Sequence, residues 1–445
     1  MAFPTDVLAE AAAAARAPRL PDRDATDLDL ITIDPPGSRD LDQAMHLSRR
    51  GSGYLVQYAI ADVAAFVKPG GAVDAEAHER CETYYAPDEN ALLHPPVLSQ
   101  DKASLLPGQV RPALLWSIDV DSAGEGTNFD VKRALVRSRA QLDYASAQAT
   151  LDSGVADEQI HLLREIGELR LARERDRGAV TLDVPDQVVD KRSDGYSLEF
   201  RAPLPVERWN AQISLLTGMA AAQLMLYAEV GVLRTLPTPD QRAVARLRRT
   251  AAGLGVRWPE RLSPEDFIRT LDPAVPTHAA VLNAAAGLLQ GAGYTSFDGG
   301  VPEHATHAGV ASEYAHATAP LRRLVDRYVG EVCVSICADV AVPEWVRAAL
   351  PKLPARMEQS AQRAHQYEAG IISIFEAAVL GSRIGGELEG VVVETDRDGQ
   401  GGKLQAADPA VVAHFDGHAK LGARVRTRIV SADMERRQVR LEVVA

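Results

Sequence analysis

Hydrophobic positions along the 445-residue chain first follow a strand-like pattern, then a helical one, and finally a strand-like pattern again. From residue 28, short apolar runs are bounded by turn residues, as in LDLITI, MHLSRR and GYLVQYAIA. The last two flank the turn Gly51-Ser52-Gly53, and that spacing predicts a β-hairpin. Strand signals continue in ALLWSIDVD and between Ala179 and Phe200.

After Pro205 the apolar positions recur with the 3.6-residue period of amphipathic helices. The predicted helices cover residues 206–230, 241–254, 278–289, 320–337 and 355–380, with Gly253, Gly291 and Gly381 as C-terminal stops. We therefore predict the α+β class, with a large domain over residues 23–384 that combines a mixed sheet with many helices. Residues 1–22 are predicted to be an Ala-rich helix and a proline-broken linker, an appendage rather than a domain.

From Gly385 the pattern returns to short strands, five of them in about sixty residues, which predicts a small β-barrel over residues 385–445. The five-stranded OB-fold is the usual barrel of this size and often binds single-stranded nucleic acid. A barrel that only packs on its neighbour stays open as an alternative. By the period of two, Arg424, Arg426 and Arg428 share one face of a strand and form a candidate track for backbone phosphates.

Charge narrows the class of partner only slightly. The chain has 48 Lys and Arg against 61 Asp and Glu, a net charge of -13, which counts against indiscriminate coating of polyanions. Three cysteines are too few for a disulfide framework, and we find neither a secretory signal nor an 18-residue apolar stretch free of charge. These features predict a cytoplasmic protein that does not enter a membrane.

An acidic cluster follows the first predicted strand. Asp40 and Asp42 alternate, so both carboxylates face one side of an extended loop, and Asp34 can join them across the Pro-Pro-Gly bend. Three converging carboxylates repel one another unless a cation lies between them, and hard oxygen ligands favour Mg²⁺ or Mn²⁺. A two-metal site of this kind catalyses phosphodiester displacement. On spacing alone, an ordinary acidic turn with helix-capping aspartates remains an equal alternative.

Several separated motifs then bear on that choice. They are AIADVAAFV (59–67), YYAPDENALLHPPVLS (84–99), Leu142-Asp143-Tyr144, Arg177-Gly178-Ala179 and YAHATAPLRRLVDRY (314–328). In this order they resemble the catalytic domain of the ribonuclease II and ribonuclease R family, from about Ile31 to Leu380. The C-terminal barrel resembles the S1 domain found at that place in the family. The resemblance implies an RNB-type catalytic domain followed by an S1-like OB-fold.

The resemblance also implies an activity and its residues. It implies a 3′→5′ exoribonuclease that uses Mg²⁺, with Mn²⁺ as an alternative, to hydrolyse single-stranded RNA to nucleoside 5′-monophosphates. Separately, we expect the protein to be a monomer. Asp34 and Asp40 match metal-holding aspartates, and Asp42 matches the aspartate most needed for hydrolysis. Arg322 matches the arginine that grips the scissile phosphate. The positions that match or adjoin RNA contacts in the family are Tyr85, Tyr144, Arg323 and Glu368.

Departures from the family pattern leave other functions open. Gln43 stands where the family has a further aspartate, and we expect it to ligate the metal weakly because an amide brings no charge. Ala308 stands where the family has a phenylalanine that stacks on a base, and we expect the protein to lack the cold-shock barrels that precede the domain in the family. The alternatives are an RNA-binding protein with a weakened or inactive nuclease site, and a phosphodiesterase for very short oligonucleotides. His304 and His307 are predicted to lie in a polar loop rather than a zinc site.

Overall fold

Two closed five-stranded barrels, joined by a largely helical middle section, make up the computed structural model. The structure describes residues 2–87, 90–179, 182, 185–192, 195–396 and 399–444. The predicted α+β class is confirmed, and the mixed sheet of the larger domain closes on itself.

The first barrel contains five strands, and its ladder is antiparallel except where the first and last strands pair in parallel, with Asp34 opposite Asp143. These strands are β1 (Leu30–Asp34), β2 (Gln43–Arg50), β3 (Gly53–Ala61), β4 (Val110–Val120) and β5 (Gly126–Asp143). The predicted hairpin is confirmed as β2–β3. One side of the strands presents large residues such as Tyr58 and Trp116, and the other presents small ones such as Ala59.

Helices cover both sides of this barrel. They are α1 (Thr5–Arg16), α2 (Ala72–Arg80), α3 (Tyr144–Asp152), α4 (Glu158–Arg177), α5 (Pro205–Tyr227), α6 (Gln241–Gly253), α7 (Pro264–Arg269), α8 (Pro276–Ala285), α9 (Leu324–Cys337), α10 (Glu344–Ala349) and α11 (Leu353–Gly381). Between them lie three two-stranded ribbons, β6 (Asp186–Arg192) with β7 (Gly195–Arg201), β8 (Val230–Thr235) with β9 (Gly293–Asp298), and β10 (Thr306–His307) with β11 (Ser312–Glu313). The large side of the first barrel packs on α4, α5 and α9.

The N-terminal helix is more than the appendage that we predicted. Val7 and Ala11 of α1 are buried in the same core cluster as the small side of the first barrel. The carboxylate of Glu10 accepts hydrogen bonds from the N–H groups of Ala72 (2.7 Å) and Val73 (3.2 Å). These are unpaired donors at the start of α2, so Glu10 acts as a cap supplied from a distance. The predicted helix is thus present and packs into this side of the core, and the division of the chain at residue 22 stays a prediction.

The second barrel closes the chain and contains the five predicted strands. They are β12 (Glu387–Thr395), β13 (Gly401–Ala407), β14 (Ala410–Asp416), β15 (Arg424–Asp433) and β16 (Gln438–Val443), in the spatial order β12-β13-β14-β16-β15. Its core is continuous with Phe375 and Leu380 of α11. The buried carboxylate of Glu376 also accepts the N–H of Val412 at 2.9 Å and the side-chain amide of Gln187 at 3.0 Å. The second barrel is thus attached to the helical section by both apolar and polar contacts.

The cysteines and the helices bear on two further expectations, those of no disulfide framework and no membrane span. All three cysteines are free thiols, and two of them, Cys81 and Cys333, are buried. Across the described residues, every helix is too short or too polar to cross a lipid bilayer.

Candidate active site

The acidic loop, residues 34–43, connects β1 to β2 and is held in place at its centre. Leu41 is fully buried; its N–H donates to the Ser104 hydroxyl at 2.9 Å, and its carbonyl accepts the N–H of Leu105 at 3.0 Å. Because successive side chains of an extended segment alternate, Asp40 and Asp42 lie on the side opposite to Leu41. Core packing therefore turns both carboxylates the same way.

A second segment, the arginine loop (residues 314–323), lies against the acidic loop. The N–H of Leu321 donates to Asp42 Oδ1 at 2.7 Å, and Arg322 Nε lies 3.5 Å from Asp42 Oδ2. The Arg322 side chain keeps 48% of its surface exposed, whereas that of Asp42 keeps 5%. Residues nearly 280 positions apart thus meet, with the guanidinium on the open side of the carboxylate.

Burial perturbs the carboxyl groups of this site. It raises the pKa of Asp42 well above the usual range, and Arg322 and the Leu321 N–H only partly oppose the increase. Burial also raises the pKa of Asp34 to about 6; the nearby Thr32 hydroxyl opposes the increase, and the negative charge of Asp40 adds to it. One Asp34 oxygen, Oδ2, is buried without a hydrogen-bond partner. The three aspartates therefore form a cluster whose negative charge the protein does not fully compensate.

The donor set of this cluster suits a hard divalent cation. Its oxygens are carboxylates, and the free Asp34 Oδ2 is a buried acceptor with nothing to accept. A cation bound there would favour the ionised forms that burial now disfavours. In the described part of the chain, no three Asp, Glu, His or Cys side chains already stand close enough to enclose a metal ion. The oxygens of these residues therefore fit Mg²⁺ in their chemistry, while their spacing in the structure does not enclose an ion.

Gln43, which we predicted to be a weak metal ligand, makes two hydrogen bonds within the protein. Its amide oxygen accepts the Tyr58 hydroxyl at 2.7 Å, and its amide nitrogen donates to the Thr318 carbonyl at 2.7 Å. Both ends of the amide are thus used within the protein. Gln43 connects the start of β2 to the arginine loop, and a carboxylate at this place would face the Thr318 oxygen without a proton to share.

Two predicted RNA-contacting tyrosines lie at the rim of the acidic loop. The Tyr85 hydroxyl donates to Asp40 Oδ2 at 2.8 Å, and the residue is 38% exposed. Tyr144 begins α3, and its hydroxyl accepts the side-chain amide of Asn210 at 3.1 Å. Burial raises the pKa of Tyr144, and the charge of Asp34 adds to this effect. The structure therefore brings both rings to the carboxylates, with Tyr85 the more accessible.

Of the other two predicted RNA contacts, Arg323 lies in a buried ion pair and Glu368 lies on an exposed helix face. Arg323 is largely buried and binds both oxygens of Asp326, at 2.5 and 2.8 Å. The guanidinium therefore holds the arginine loop to the start of α9, and its contact with RNA stays a prediction. Glu368 is exposed on α11 beside Tyr367, whose ring lies 5.9 Å from that of Tyr84.

The three arginines of the second barrel do share one exposed face of β15. Two of them have acidic partners on β12, since Arg424 lies 3.1 Å from Glu389 and Arg426 lies 3.6 Å from Glu387. Arg428 is exposed beside them. The positive charge predicted for this face is thus largely offset by the neighbouring strand.

A cluster of rings forms at the start of the arginine loop, and sequence reasoning did not predict that its members meet. Tyr314 lies between His307 and His316, with ring centroids 6.0 and 5.6 Å away, and the Tyr294 hydroxyl is 2.7 Å from His316 Nδ1. Arg234 covers the Tyr294 ring at 4.6 Å. The pairing of β10 with β11, and of β8 with β9, brings these residues together, so no local signal could have shown that Arg234 and Tyr294 join His307 and Tyr314. They are partly exposed and offer faces on which bases could stack.

Comparison with known proteins identifies the family. The profile of the RNB domain matches residues 22–336, well over half of the chain. The chain belongs to the RNB family. A second profile, the RNase II-type exonuclease C-terminal S1 domain, matches residues 386–444, which is the second barrel of this RNB protein.

Curated relatives are similar over most of this RNB protein. Ribonuclease R of Aquifex aeolicus is 26% identical over 467 residues, covering 95% of this chain and 65% of the relative. Ribonuclease R of Escherichia coli is 28% identical, covering 68% of this chain and 39% of the relative. The chain spans less than two thirds of the length of these curated relatives.

Solved structures share the fold. Ribonuclease R of Mycoplasma genitalium, in complex with ribose-methylated single-stranded RNA, superposes with a TM-score of 0.87 at 17% identity, covering 100% of this chain and 76% of that chain. Yeast Ssd1, a pseudonuclease, superposes with a TM-score of 0.75 at 17% identity, covering 94% and 55%. Because an RNB fold occurs in a ribonuclease R and in a pseudonuclease, activity has to be argued from the site.

Proposed function

We propose that this RNB protein is a Mg²⁺-dependent exoribonuclease that removes nucleotides from the 3′ end of single-stranded RNA as nucleoside 5′-monophosphates. The observation that carries the proposal is the contact between the two loops. Asp42, buried and fixed by the Leu321 N–H, lies beside the half-exposed guanidinium of Arg322. An acidic cation site next to an arginine is the arrangement that phosphodiester hydrolysis needs.

Asp34, Asp40 and Asp42 would hold the cation. When bound, Mg²⁺ supplies a Lewis acid that polarises the phosphate and lowers the pKa of a water molecule. The protein's own contribution is to bury two of the three carboxylates and to keep Asp40 in register through the Tyr85 hydroxyl. Mn²⁺ has the same ligand preference and is a suitable substitute.

Arg322 and Tyr85 would act on the substrate itself. Negative charge builds on the non-bridging phosphate oxygens during hydrolysis, and a guanidinium held 3.5 Å from Asp42 can bind them without leaving its carboxylate. The exposed ring of Tyr85 can pack on a terminal base while its hydroxyl stays on Asp40. Tyr144 supports the site from beneath through Asn210, and Glu368 lies on the exposed side of α11, where upstream RNA could pass.

The second candidate is an RNA-binding protein with a weakened or inactive nuclease site. The observation that favours it is Gln43, which supplies no carboxylate and whose amide is engaged with Tyr58 and Thr318. The presence of Asp34, Asp40, Asp42 and Arg322 favours the enzyme instead. We further propose that the protein acts as a monomer in the cytoplasm, since all the named residues come from one chain and its cysteines are free thiols.

A product analysis tests direction and chemistry together. RNA labelled at its 5′ end is incubated with protein and Mg²⁺, beside the same RNA with a blocked 3′-hydroxyl, and products are separated on a gel and by chromatography. We expect progressive shortening of the free RNA, slower attack on the blocked RNA, and nucleoside 5′-monophosphates as product. Binding without shortening in Mg²⁺ or Mn²⁺ would support the second candidate and overturn the first.

A further inference from the structure

One exposed face of α6 carries a row of arginines that neither the fold nor the candidate site uses. Arg242, Arg246 and Arg249 are spaced four and three residues apart, so they lie on the same side of the helix. The opposite side buries Leu247 and Ala251 in the core of the helical section. We call these three arginines the α6 strip.

Positive charge is concentrated around the α6 strip and is not neutralised. Residues 241–261 contain six arginines against one glutamate, Glu260, in a chain whose net charge is -13. Within the part of the chain that the structure describes, none of the three arginines of the α6 strip forms an ion pair. This contrasts with Arg424 and Arg426, which have acidic partners. The α6 strip is therefore a free cationic surface.

One end of α6 is tied to the arginine loop. In β8, which precedes it, the N–H of Arg234 donates to the Tyr314 carbonyl at 2.8 Å. Leu236 then pairs with the β10 segment at His307, its carbonyl accepting the Ala308 N–H at 3.0 Å. Asp240, four residues later, caps the first turn of α6. Only three residues, 237–239, therefore separate a segment that pairs beside the rings from the cap of α6.

The other end of α6 meets the second barrel. Gly253 continues the face of the α6 strip, and a Cβ at this position would lie 2.6 Å from Leu421 Cδ2. A Cβ at Gly422 would lie 2.5 Å from the Gly253 carbonyl oxygen. Two glycines therefore allow the helix and the barrel loop to touch, with exposed Lys420 beside the contact. A helix of this length covers about 20 Å, so the α6 strip connects the barrel to the active-site side.

We propose that the α6 strip binds the phosphate backbone of single-stranded RNA on its path from the second barrel to the acidic loop. The proposal rests on the proposed function and adds the route of the substrate. A single strand is the occupant that fits, because the arginines form a line between two elements that handle RNA rather than a broad basic field. An anionic membrane fits less well, because the face of the α6 strip lacks large apolar residues that would insert into lipid.

The test measures the salt dependence of RNA binding. The strip variant carries Arg242→Glu, Arg246→Glu and Arg249→Glu. The control variant carries Arg49→Glu, Arg50→Glu and Arg164→Glu, which changes the net charge equally at arginines that already pair with Glu165, Asp119 and Glu168. Affinity for an RNA of about 20 nucleotides, a length that exceeds one barrel's binding site, is measured in chelator at about 50 to 200 mM salt.

We expect the plot of log affinity against log salt to become shallower by about 2 in the strip variant, since each phosphate contact on a single strand contributes about 0.7. The control variant should keep the wild-type slope. If the glutamates unfold the protein, the same three positions are changed to glutamine, for which the same decrease in slope is expected. Equal slopes in strip and control variants overturn the proposal. The proposal is also overturned if the strip variant loses binding to anionic phospholipid vesicles while the salt dependence of its RNA affinity stays that of wild type.

Hydrolysis separates this proposal from the proposed function. In Mg²⁺, the ratio of KM for an RNA of about 20 nucleotides to KM for one of roughly four should rise tenfold or more in the strip variant. A wild-type protein that hydrolyses neither RNA, yet shows the strip-dependent salt slope, supports the α6 strip and overturns the enzyme. A wild-type protein that hydrolyses both, with the same KM ratio in strip and control variants, overturns the α6 strip alone.

Discussion

Replacing Asp34 by asparagine should stabilise the metal-free protein. Burial raises the pKa of this carboxyl from 3.8 to about 6, and its Oδ2 has no hydrogen-bond partner. A carboxyl with a higher pKa in the folded state binds its proton more tightly there. The folded protein therefore loses stability as the pH rises from about 4 to about 6, and the full penalty applies above that window.

The size of the effect follows from the pKa difference of about 2 between the folded and unfolded states. At 1.36 kcal/mol per pKa unit this amounts to at most about 3 kcal/mol. The substituted asparagine cannot ionise, so the variant avoids this loss of stability. Its buried amide also lacks a hydrogen-bond partner, however, and this lowers the stability of the variant by about 1 kcal/mol or more. We expect a net gain of about 1 to 2 kcal/mol near pH 8, or a few degrees in the unfolding midpoint.

Calorimetry of Asp34→Asn and wild type in chelator, at about pH 8 and about pH 4.5, measures this gain. It should be present at the higher pH and shrink at the lower one. Mg²⁺ should raise the midpoint of wild type more than that of the variant, since a ligand that binds the folded state stabilises it.

Asp62→Asn is the matched control. Asp62 is more deeply buried than Asp34 but lies 2.9 Å from Arg133, so the loss of its charge should destabilise the protein. Our account of the acidic cluster would be refuted by an Asp34→Asn variant that is no more stable than wild type at high pH, or that gains as much from Mg²⁺.

Three further substitutions address single contacts of the site. Arg322→Ala should lower kcat about 10²- to 10³-fold, because it removes one stabiliser of developing charge, and single-turnover rates measure this; a decrease below tenfold would contradict the assigned role. Gln43→Leu should destabilise the protein by about 1 to 3 kcal/mol, because the Thr318 carbonyl and the Tyr58 hydroxyl lose their hydrogen-bond partner. The Mg²⁺ concentration for half-maximal activity should stay the same, and a large increase in that concentration would indicate that Gln43 is a metal ligand. Ala308→Phe should tighten RNA binding by about 1 to 3 kcal/mol if the added ring stacks on a base, and an unchanged Kd would place the base contact elsewhere.

Local pattern was sufficient where an element has one apolar and one polar face. The five strands of the second barrel and α5, α6 and α11 were predicted within a few residues, because their apolar residues recur with the period of the element. β5 was missed over 18 residues because several of its inward positions are small or polar, such as Ala134 and Ser138. α4 was missed because Arg170 and Glu174 lie on its buried face. Arg170 donates to the Gly124 carbonyl, and Glu174 accepts from Gln212.

In the candidate site, local sequence pattern predicts the direction of neighbouring side chains but not the contacts between distant segments. The spacing of Asp40 and Asp42 predicts that both carboxylates face one way, and the burial of Leu41 between them supports this geometry. The helix predicted from Pro320 begins only at Leu324, because Arg323 has extended backbone angles (φ -146°, ψ 120°) and pairs with the distant Glu82. Such a contact between distant segments leaves no periodic signal. It also lies where function is expected to override local preference.

The most direct test of the central claim is the single-turnover rate of RNA shortening in Mg²⁺, measured for wild type and for Asp42→Asn beside the Kd of each for the same RNA. The account predicts that wild type shortens the RNA from its 3′ end, while Asp42→Asn binds RNA with similar affinity and shortens it at least about 10²-fold more slowly. Equal rates for the two proteins, or RNA bound but intact with wild type, would contradict it.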